Sequence, residues 1–362
     1  MTGRAGYHVT RRAGIIGGGI GGLATAIMLQ QAGWTVRVFE RAPALGGSGT
    51  ALGMWPASLR ALDALGLGGD VRALGARQRH GTFLRPDGSR IARLDVSAIA
   101  RRTGDSVHLI SRPALLGLLA GAVAPGTVSF DSPVTDLAAY RTGFDVVVAA
   151  DGVFSRTRTA IFGTDSGARY VGATAWRGTV DGATDTVSET WGRGQRFGVT
   201  PREDGRTNWY ATALAPPGGR SPEGEVAALR ARFGDWHAGV RQVLSRLRPA
   251  EVLRHDLYQL ARPLPGYLDG NVVLIGDAAH AMTPDLGRGA GEALVDAVTL
   301  GHCLADATSI AAGLAEYDNR RRRPTQRLVR LSHRVGRIAQ ARRFTPLRDA
   351  AVRVALTFGP PT

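Results

Sequence analysis

The feature that most constrains the fold is a β-α-β unit at the start of the chain. An apolar run, 13–16, ends in Gly17-Gly-Gly19-Ile20-Gly-Gly22. Residues 23–31 then have helical apolar spacing and stop at Gly33, a residue suited to a helix C-cap. Thr35-Val-Arg-Val-Phe39 alternates as a strand and ends at Glu40. The pieces fill the ~30 residues such a unit takes. They set two parallel strands side by side with a helix across them, and so commit the chain to an α/β sheet. The glycines fit G-x-G-x-x-G. Gly17 allows the tight turn, Gly19 lets the backbone approach a pyrophosphate, and Gly22 lets helix pack on strand. Glu40, an acid at the end of the next strand, is placed to accept the hydroxyls of an adenosine ribose.

Two further segments carry the same kind of chemistry. The apolar run 272–275 reads as a buried strand and leads into Gly276-Asp-Ala-Ala-His-Ala-Met-Thr-Pro284-Asp-Leu-Gly287-Arg-Gly289-Ala290-Gly291. Asp277, at a strand end, can accept hydrogen bonds from a sugar or ribityl hydroxyl. The Pro/Gly loop runs into a helix over 293–298 and leaves backbone N–H groups pointing outward, where they can hold an anion. In the middle of the chain a strand over 145–150 ends in Asp151-Gly152-Val-Phe-Ser155-Arg-Thr-Arg158. A lone D-G at a strand end is an ordinary turn; D-G-x-x-S-x-x-R between the other two motifs is more specific.

The intervening sequence changes character twice. Residues 80–94 read as a hairpin around Pro86-Asp87-Gly88-Ser89, not as part of a parallel sheet. Helices are expected over 58–67 and 113–122, the latter capped by Ser111. Residues 168–215 read as strands and turns interleaved with Trp176, Trp191, Trp209 and Tyr210, and 223–247 reads as helix. Everything after Gly291 reads as helix broken around Pro324. The expected division is 1–76, 101–167 and 262–362 for a doubly wound, three-layer, Rossmann-like domain with C-terminal helices. Residues 77–100 and 168–261 form a β-sheet-rich α+β domain that interrupts it.

At 362 residues a two-domain chain is the default expectation. No run of ~18 apolar residues is present, so no membrane span is expected. Residues 1–12 read as a disordered leader without a signal-peptide core. Cys303 is the only cysteine, which rules out an intrachain disulfide and suits a reducing cytoplasm. The net charge is +15 and all of it is arginine, because the chain has no lysine. The arginines are spread along the sequence, and the run Arg320 to Arg323 reads as a solvated helix face, so no specific nucleic-acid binding is expected.

The three motifs, in order and over nearly the whole chain, resemble the class A flavoprotein monooxygenases of the para-hydroxybenzoate hydroxylase fold. The nearest-looking branch holds urate hydroxylase-like, salicylate hydroxylase-like and zeaxanthin epoxidase-like enzymes. The resemblance implies FAD as the bound nucleotide, of the GR2-type arrangement. It places Glu40 and Arg41 at the adenosine, Arg112 at the phosphate–ribityl region, Asp151 near the pyrophosphate and Asp277 on a ribityl hydroxyl. Pro284 lies on the C4a side of the isoalloxazine, with Gly287, Gly289 and Ala290 along its edge. The helix starting near Gly289 offers partial positive charge where reduced flavin is negative. The chain departs from the family at Gly291, at Val295-Asp296, and in a shortened segment over 127–144.

In such enzymes the hard chemistry belongs to the cofactor. The resemblance implies that NADPH or NADH reduces FAD, that O2 adds at C4a, and that the hydroperoxide transfers oxygen to an electron-rich, aromatic or heteroaromatic small molecule. Hydroxylation and epoxidation both remain open, as does monomer or homodimer. The protein must exclude water and position the substrate, and no dedicated base and no metal ligand set is evident. Arg196 and Tyr210 are the candidate substrate contacts; His80 reads as surface, His280 as structural and Cys303 as core. A halogenase is excluded by the missing lysine and the missing W-x-W-x-I-P segment. A reductase of the same fold, or a non-catalytic FAD-binding protein, is the alternative.

Overall fold

A computed structural model describes residues 11–357. Residues 1–10 of the expected leader lie outside the described residues, and Arg12 already belongs to the first strand, Arg12–Ile16. Among the described residues, the first sheet runs in the order Leu268–Asp269, Val272–Leu274, Val146–Ala149, Arg12–Ile16, Thr35–Phe39, Val128–Ser129. Its inner pairs are parallel, with Ala13 opposite both Val36 and Val146, and Val148 opposite Val273. Val146–Ala149 is buried at every position, as a strand covered by helices on both faces must be. The helices Ile20–Gln31 and Gly289–Asp306 pack together in one continuous core with this sheet.

A small antiparallel sheet orders Ala51–Met54, Val107–Ser111 and Ala76–Gln78. The large second sheet orders Leu253–Leu260, Ala168–Val180, Thr207–Leu214, Gln195–Pro201, Ser188–Trp191, His80–Leu84 and Arg90–Asp95. Side chains alternate across it. One face sends Trp176, Phe197, Val199 and Trp209 into a core with Phe233 and Val240 of the helices Glu225–Phe233 and Ala238–Ser245. The opposite face carries Arg177, Glu189, Arg196 and Tyr210 toward the first domain. The alternation of the sequence here thus separates a dry face from a polar one.

Several expectations need correction. The hairpin His80–Leu84 with Arg90–Asp95 forms, yet its first strand also runs parallel to Ser188–Trp191 and so joins the mixed sheet. The helix expected over 58–67 is Pro56–Ala64, begun by its own proline, and the one expected over 223–247 breaks at Gly234. The largest correction is Pro324, which lies inside an unbroken helix, Ile310–Ala339. A helix-interior proline costs about 3 kcal/mol. It is offset by anchors on both sides. Arg321 reaches the buried Asp296 at 2.6 Å, Thr325 Oγ1 donates to the carbonyl of Arg321 at 2.8 Å, and Gln326 Nε2 donates to that of Leu264 at 2.8 Å. The Arg320–Arg323 run is accordingly not one solvated face, because Arg321 is buried and Arg320 and Arg322 pair with Glu316 and Asp318. No helix among the described residues is long and apolar enough to cross a membrane.

Candidate functional site

The glycine loop is shaped by contacts that admit no side chain. Gly17 has φ of +107°, and a Cβ there would stand 2.4 Å from the carbonyl oxygen of Ala150. A Cβ on Gly22 would meet the Gly17 carbonyl at 1.9 Å, so the helix Ile20–Gln31 can sit on the loop only with glycine there. Gly19 differs, since its Cβ direction is open, with nothing within 4 Å. The helix that follows has neither a side-chain cap nor an acid in its first turn. Its leading N–H groups therefore face the open side with their partial positive charge. Glu40 accepts the N–H of Gly18 at 2.7 Å and of Ala42 at 2.9 Å, which ties the loop to the end of the second strand. Arg41 is exposed and is not among the residues that line the cavity described below.

The middle motif works as a clasp. Ser155 caps Arg156–Phe162 by accepting from Arg158 N at 2.9 Å, and Asp151 Oδ2 accepts from Thr157 N at 3.1 Å. Arg158 is fully buried and has no carboxylate partner. It donates instead to the carbonyls of Val153, Ser166, Asp277 and Ala278, between 2.7 and 3.3 Å. The second motif thereby fixes the backbone of the third. Asp151 Oδ1 is buried without a hydrogen-bond partner.

In the third motif Gly276 has φ of +56° and turns the chain off the strand Val272–Leu274. Asp277 is exposed at the cavity wall and its carboxylate accepts no hydrogen bond among the described residues. Crowding by the surrounding protein pushes its pKa up, opposed by His280 and Arg158. Beneath it lies a buried ionic knot. Asp296 accepts from Gly276 N at 2.8 Å, His280 Nε2 at 2.6 Å and Arg321 Nε at 2.6 Å, and Arg321 reaches Glu292 at 2.6 Å. Burial alone would raise the Asp296 pKa, but His280 and Arg321 outweigh it and hold the carboxyl well below its usual range. Burial likewise disfavours charge on His280, and Asp296 reverses that, so its pKa rises. Pro284–Leu286 forms a single tight turn, Gly287 closes it with φ of +60°, and Gly289–Asp306 starts without a side-chain cap.

The polar face of the large sheet supplies the far wall. Arg196 Nη2 meets Asp285 Oδ1 at 2.5 Å, its Nη1 meets Glu189 Oε1 at 3.1 Å, and its Nε donates to Thr212 at 3.2 Å. The two acids outweigh burial and raise the arginine's pKa. Tyr210 lies across Gly198, where a Cβ would come 2.1 Å from its ring, and donates its hydroxyl to Glu189 at 2.6 Å. Burial, then Glu189, keeps that hydroxyl protonated.

These parts face one cavity of about 660 Å3, within the ~300–1,000 Å3 usual for a ligand site. It runs from Gly19 and Ile20, past Arg112, Gly276, Asp277, Pro284, Gly287, Gly289 and Ala290, to Arg196 and Tyr210. Gly17, Gly22, Glu40 and Asp151 shape its edge without lining it. The residues suit FAD on three observations: the open Cβ direction at Gly19, two uncapped helix starts, and the unpartnered Asp277 carboxylate. Sequence reasoning missed Glu189, Asp285 and Arg177, and picked out Arg158 as the end of the middle motif without giving it a role. Period-two alternation could have put Glu189 on the face of Tyr210, but no local signal tells which arginine finds a carboxylate. Among the described residues no cluster of three or more His, Cys, Asp or Glu could hold a metal ion.

Comparison with known proteins agrees with this geometry. A family model described as an FAD binding domain matches residues 10–139 and 138–332. The aurachin C monooxygenase/isomerase of Stigmatella aurantiaca is 35% identical over 342 residues, 90% of this chain and 89% of that protein. The 3-amino-4-hydroxybenzoate 2-monooxygenase of Streptomyces cremeus is 34% identical over 316 residues, covering 81% and 78%. The crystal structure of Klebsiella pneumoniae HpxO complexed with FAD and uric acid superposes with a TM-score of 0.85 at 25% identity, over 96% of this chain and 92% of that one.

Proposed function

The chain belongs to the FAD binding domain family and is an FAD-dependent monooxygenase; from that premise we propose that it spends NADPH or NADH and O2 to place one oxygen atom on a small aromatic or heteroaromatic molecule. The observation that carries this reading is the single cavity joining the glycine loop to the sheet wall of Arg196 and Tyr210. Gly17, Gly19, Ile20, Gly22, Glu40 and Arg41 would lie at the adenosine end of FAD, Arg112 would reach its phosphate–ribityl region, Asp151 would lie near its pyrophosphate, and Gly276 and Asp277 would hold its ribityl chain. Pro284, Gly287, Gly289 and Ala290 would border the ring. Bound there, FAD supplies the two-electron chemistry that couples the nicotinamide donor to O2.

The chain's own residues then have three tasks. The helix start at Gly289 stabilises negative charge beside it. Arg196, locked by Glu189 and Asp285, joins the sheet to the 284–286 turn and limits water entry. Tyr210, held protonated on Glu189, presents a hydroxyl and a ring edge against which a planar molecule can be oriented. The functional units follow the division 1–76, 101–167 and 262–362 for the cofactor, and 77–100 and 168–261 for the substrate.

A screen of aromatic compounds for stimulated NAD(P)H oxidation, followed by mass spectrometry of products made under 18O2, tests the reading. One oxygen atom from O2 per product is expected. A reduced product without label would favour a reductase of the same fold. FAD retention without any compound-stimulated oxidation would favour a non-catalytic flavoprotein.

A further inference from the structure

Arginines line the cavity at 112, 177, 196 and 288, and their surroundings differ. Arg196 is locked between Glu189 and Asp285, and Arg288 pairs with Glu292 at 3.0 Å. Arg112 touches the carbonyl of Ser48 at 3.4 Å. The Arg177 side chain has no hydrogen bond and no ion pair among the described residues. The sheet register explains its isolation. Glu189, Gly198, Tyr210 and Arg177 stand in one row across neighbouring strands. Tyr210 turns away from Arg177, over Gly198, to reach Glu189. The row's only carboxylate is therefore taken by Tyr210 and Arg196, and Arg177 is left uncompensated.

Burial, and then the positive charge of Arg112, which lines the same cavity, lowers its pKa. A half-buried guanidinium in the field of a second one is costly unless an anion sits with them. A planar, five-donor fork left free in a ligand cavity suits a carboxylate or ring oxyanion.

We propose that Arg177 is the specificity-determining cation of the substrate site, and that the substrate carries an ionised acidic group, a carboxylate or ring oxyanion, which this guanidinium binds. Arg196, already neutralised by two acids, positions the wall and does not grip the anion. The inference rests on the monooxygenase reading for the identity of the cavity, but its test requires no turnover.

The FAD-saturated protein is titrated with two matched pairs of probes, salicylate against salicylamide and 4-hydroxyquinoline-3-carboxylate against 4-hydroxyquinoline. The signal is perturbation of the bound flavin's absorbance, without NAD(P)H. In the wild type at least one acid is expected to bind about tenfold or more tighter than its neutral partner, the worth of one charge-assisted contact. Arg177→Gln should erase that preference and leave FAD affinity within about twofold. An acid preference absent from the wild type, or intact in Arg177→Gln, overturns the proposal. Loss of FAD affinity in Arg177→Gln with the acid preference intact also overturns it, since the cation would then serve the flavin phosphates. Should the Gln variant fail to fold, Arg177→Lys decides: the preference should fall several-fold as the fork is lost, and an unchanged preference counts against the idea. Binding that follows these expectations without any oxygenated product would fault the monooxygenase reading alone.

Discussion

A Cβ placed on Gly291 would stand 2.1 Å from Ser58 Oγ and 3.2 Å from Ser58 Cβ. This position, where the chain departs from the family it resembles, is thus the point where the helix Pro56–Ala64 presses against Gly289–Asp306. Gly291→Ala is expected to cost about 1–3 kcal/mol in urea unfolding, the usual range for overpacking. The loss should be smaller in a Ser58→Ala background, and equal losses in the two backgrounds would place the strain elsewhere. Gly198 acts in the same way at the other wall. Gly198→Ala should expel the Tyr210 ring from its place on Glu189, weakening binding of an aromatic probe while leaving FAD content intact; dialysis against free FAD and a probe titration separate the two effects. A sequence displays such glycines but not what leans on them. The G-x-G-x-x-G glycines were legible because their spacing is itself a motif, although Gly17 meets the distant Ala150, whereas Gly198 and Gly291 belong to no such pattern and what leans on them, Tyr210 and Ser58, is named only by the fold.

Single elements carry more than their own sequence suggests. The long helix Ile310–Ala339 survives Pro324 because Arg321 is tied into the knot with Asp296, Glu292 and His280. Arg321→Met would leave two buried carboxylates without that partner, and a loss of about 3–5 kcal/mol is expected. The same knot predicts a pH dependence. The His280 pKa in the folded protein is raised from its ordinary 6.5. Its contribution is therefore fully present below that value and is lost as pH rises through the raised one. His280→Gln should be less stable than the wild type at about pH 6, and the gap should narrow toward about pH 9. A gap constant across that range would mean that His280 contributes shape and not charge. Helix content was legible from apolar periodicity, but the break expected at Pro324 was not borne out. Propensity cannot see an ion pair buried against another helix.

At the scale of the whole molecule, the order of the motifs made the fold legible, and the closure between domains was not. Three segments far apart in sequence meet because Arg12–Ile16 pairs with Val146–Ala149 and Arg158 clasps the carbonyls of Asp277 and Ala278. Polar links then hold the large sheet over them, including Arg85 to Asp349 at 2.7 Å and Arg348 Nη1 to the carbonyl of Gly192 at 2.9 Å, both from the C-terminal helix Thr345–Thr357. Asn208 accepts from Ala51 N at 3.2 Å, Glu203 accepts from Ser111 N at 3.2 Å, and Arg196 meets Asp285. The last is the most buried of the ion pairs among these links, with side chains 5% and 4% exposed, and it joins the large sheet to the 284–286 turn. Removing one partner of such a pair normally leaves a costly buried charge. Here Glu189 still neutralises Arg196, so Asp285→Asn should fold and retain FAD. What it should lose is the seal. Water reaching the reaction space diverts reducing equivalents from product to hydrogen peroxide. The variant is therefore expected to consume NAD(P)H at a comparable rate while releasing several times more peroxide per NAD(P)H than the wild type. The measurement is a parallel assay of NAD(P)H, peroxide and oxygenated product with the first compound that stimulates turnover. An unchanged ratio would show that the bridge positions Arg196 without sealing the cavity.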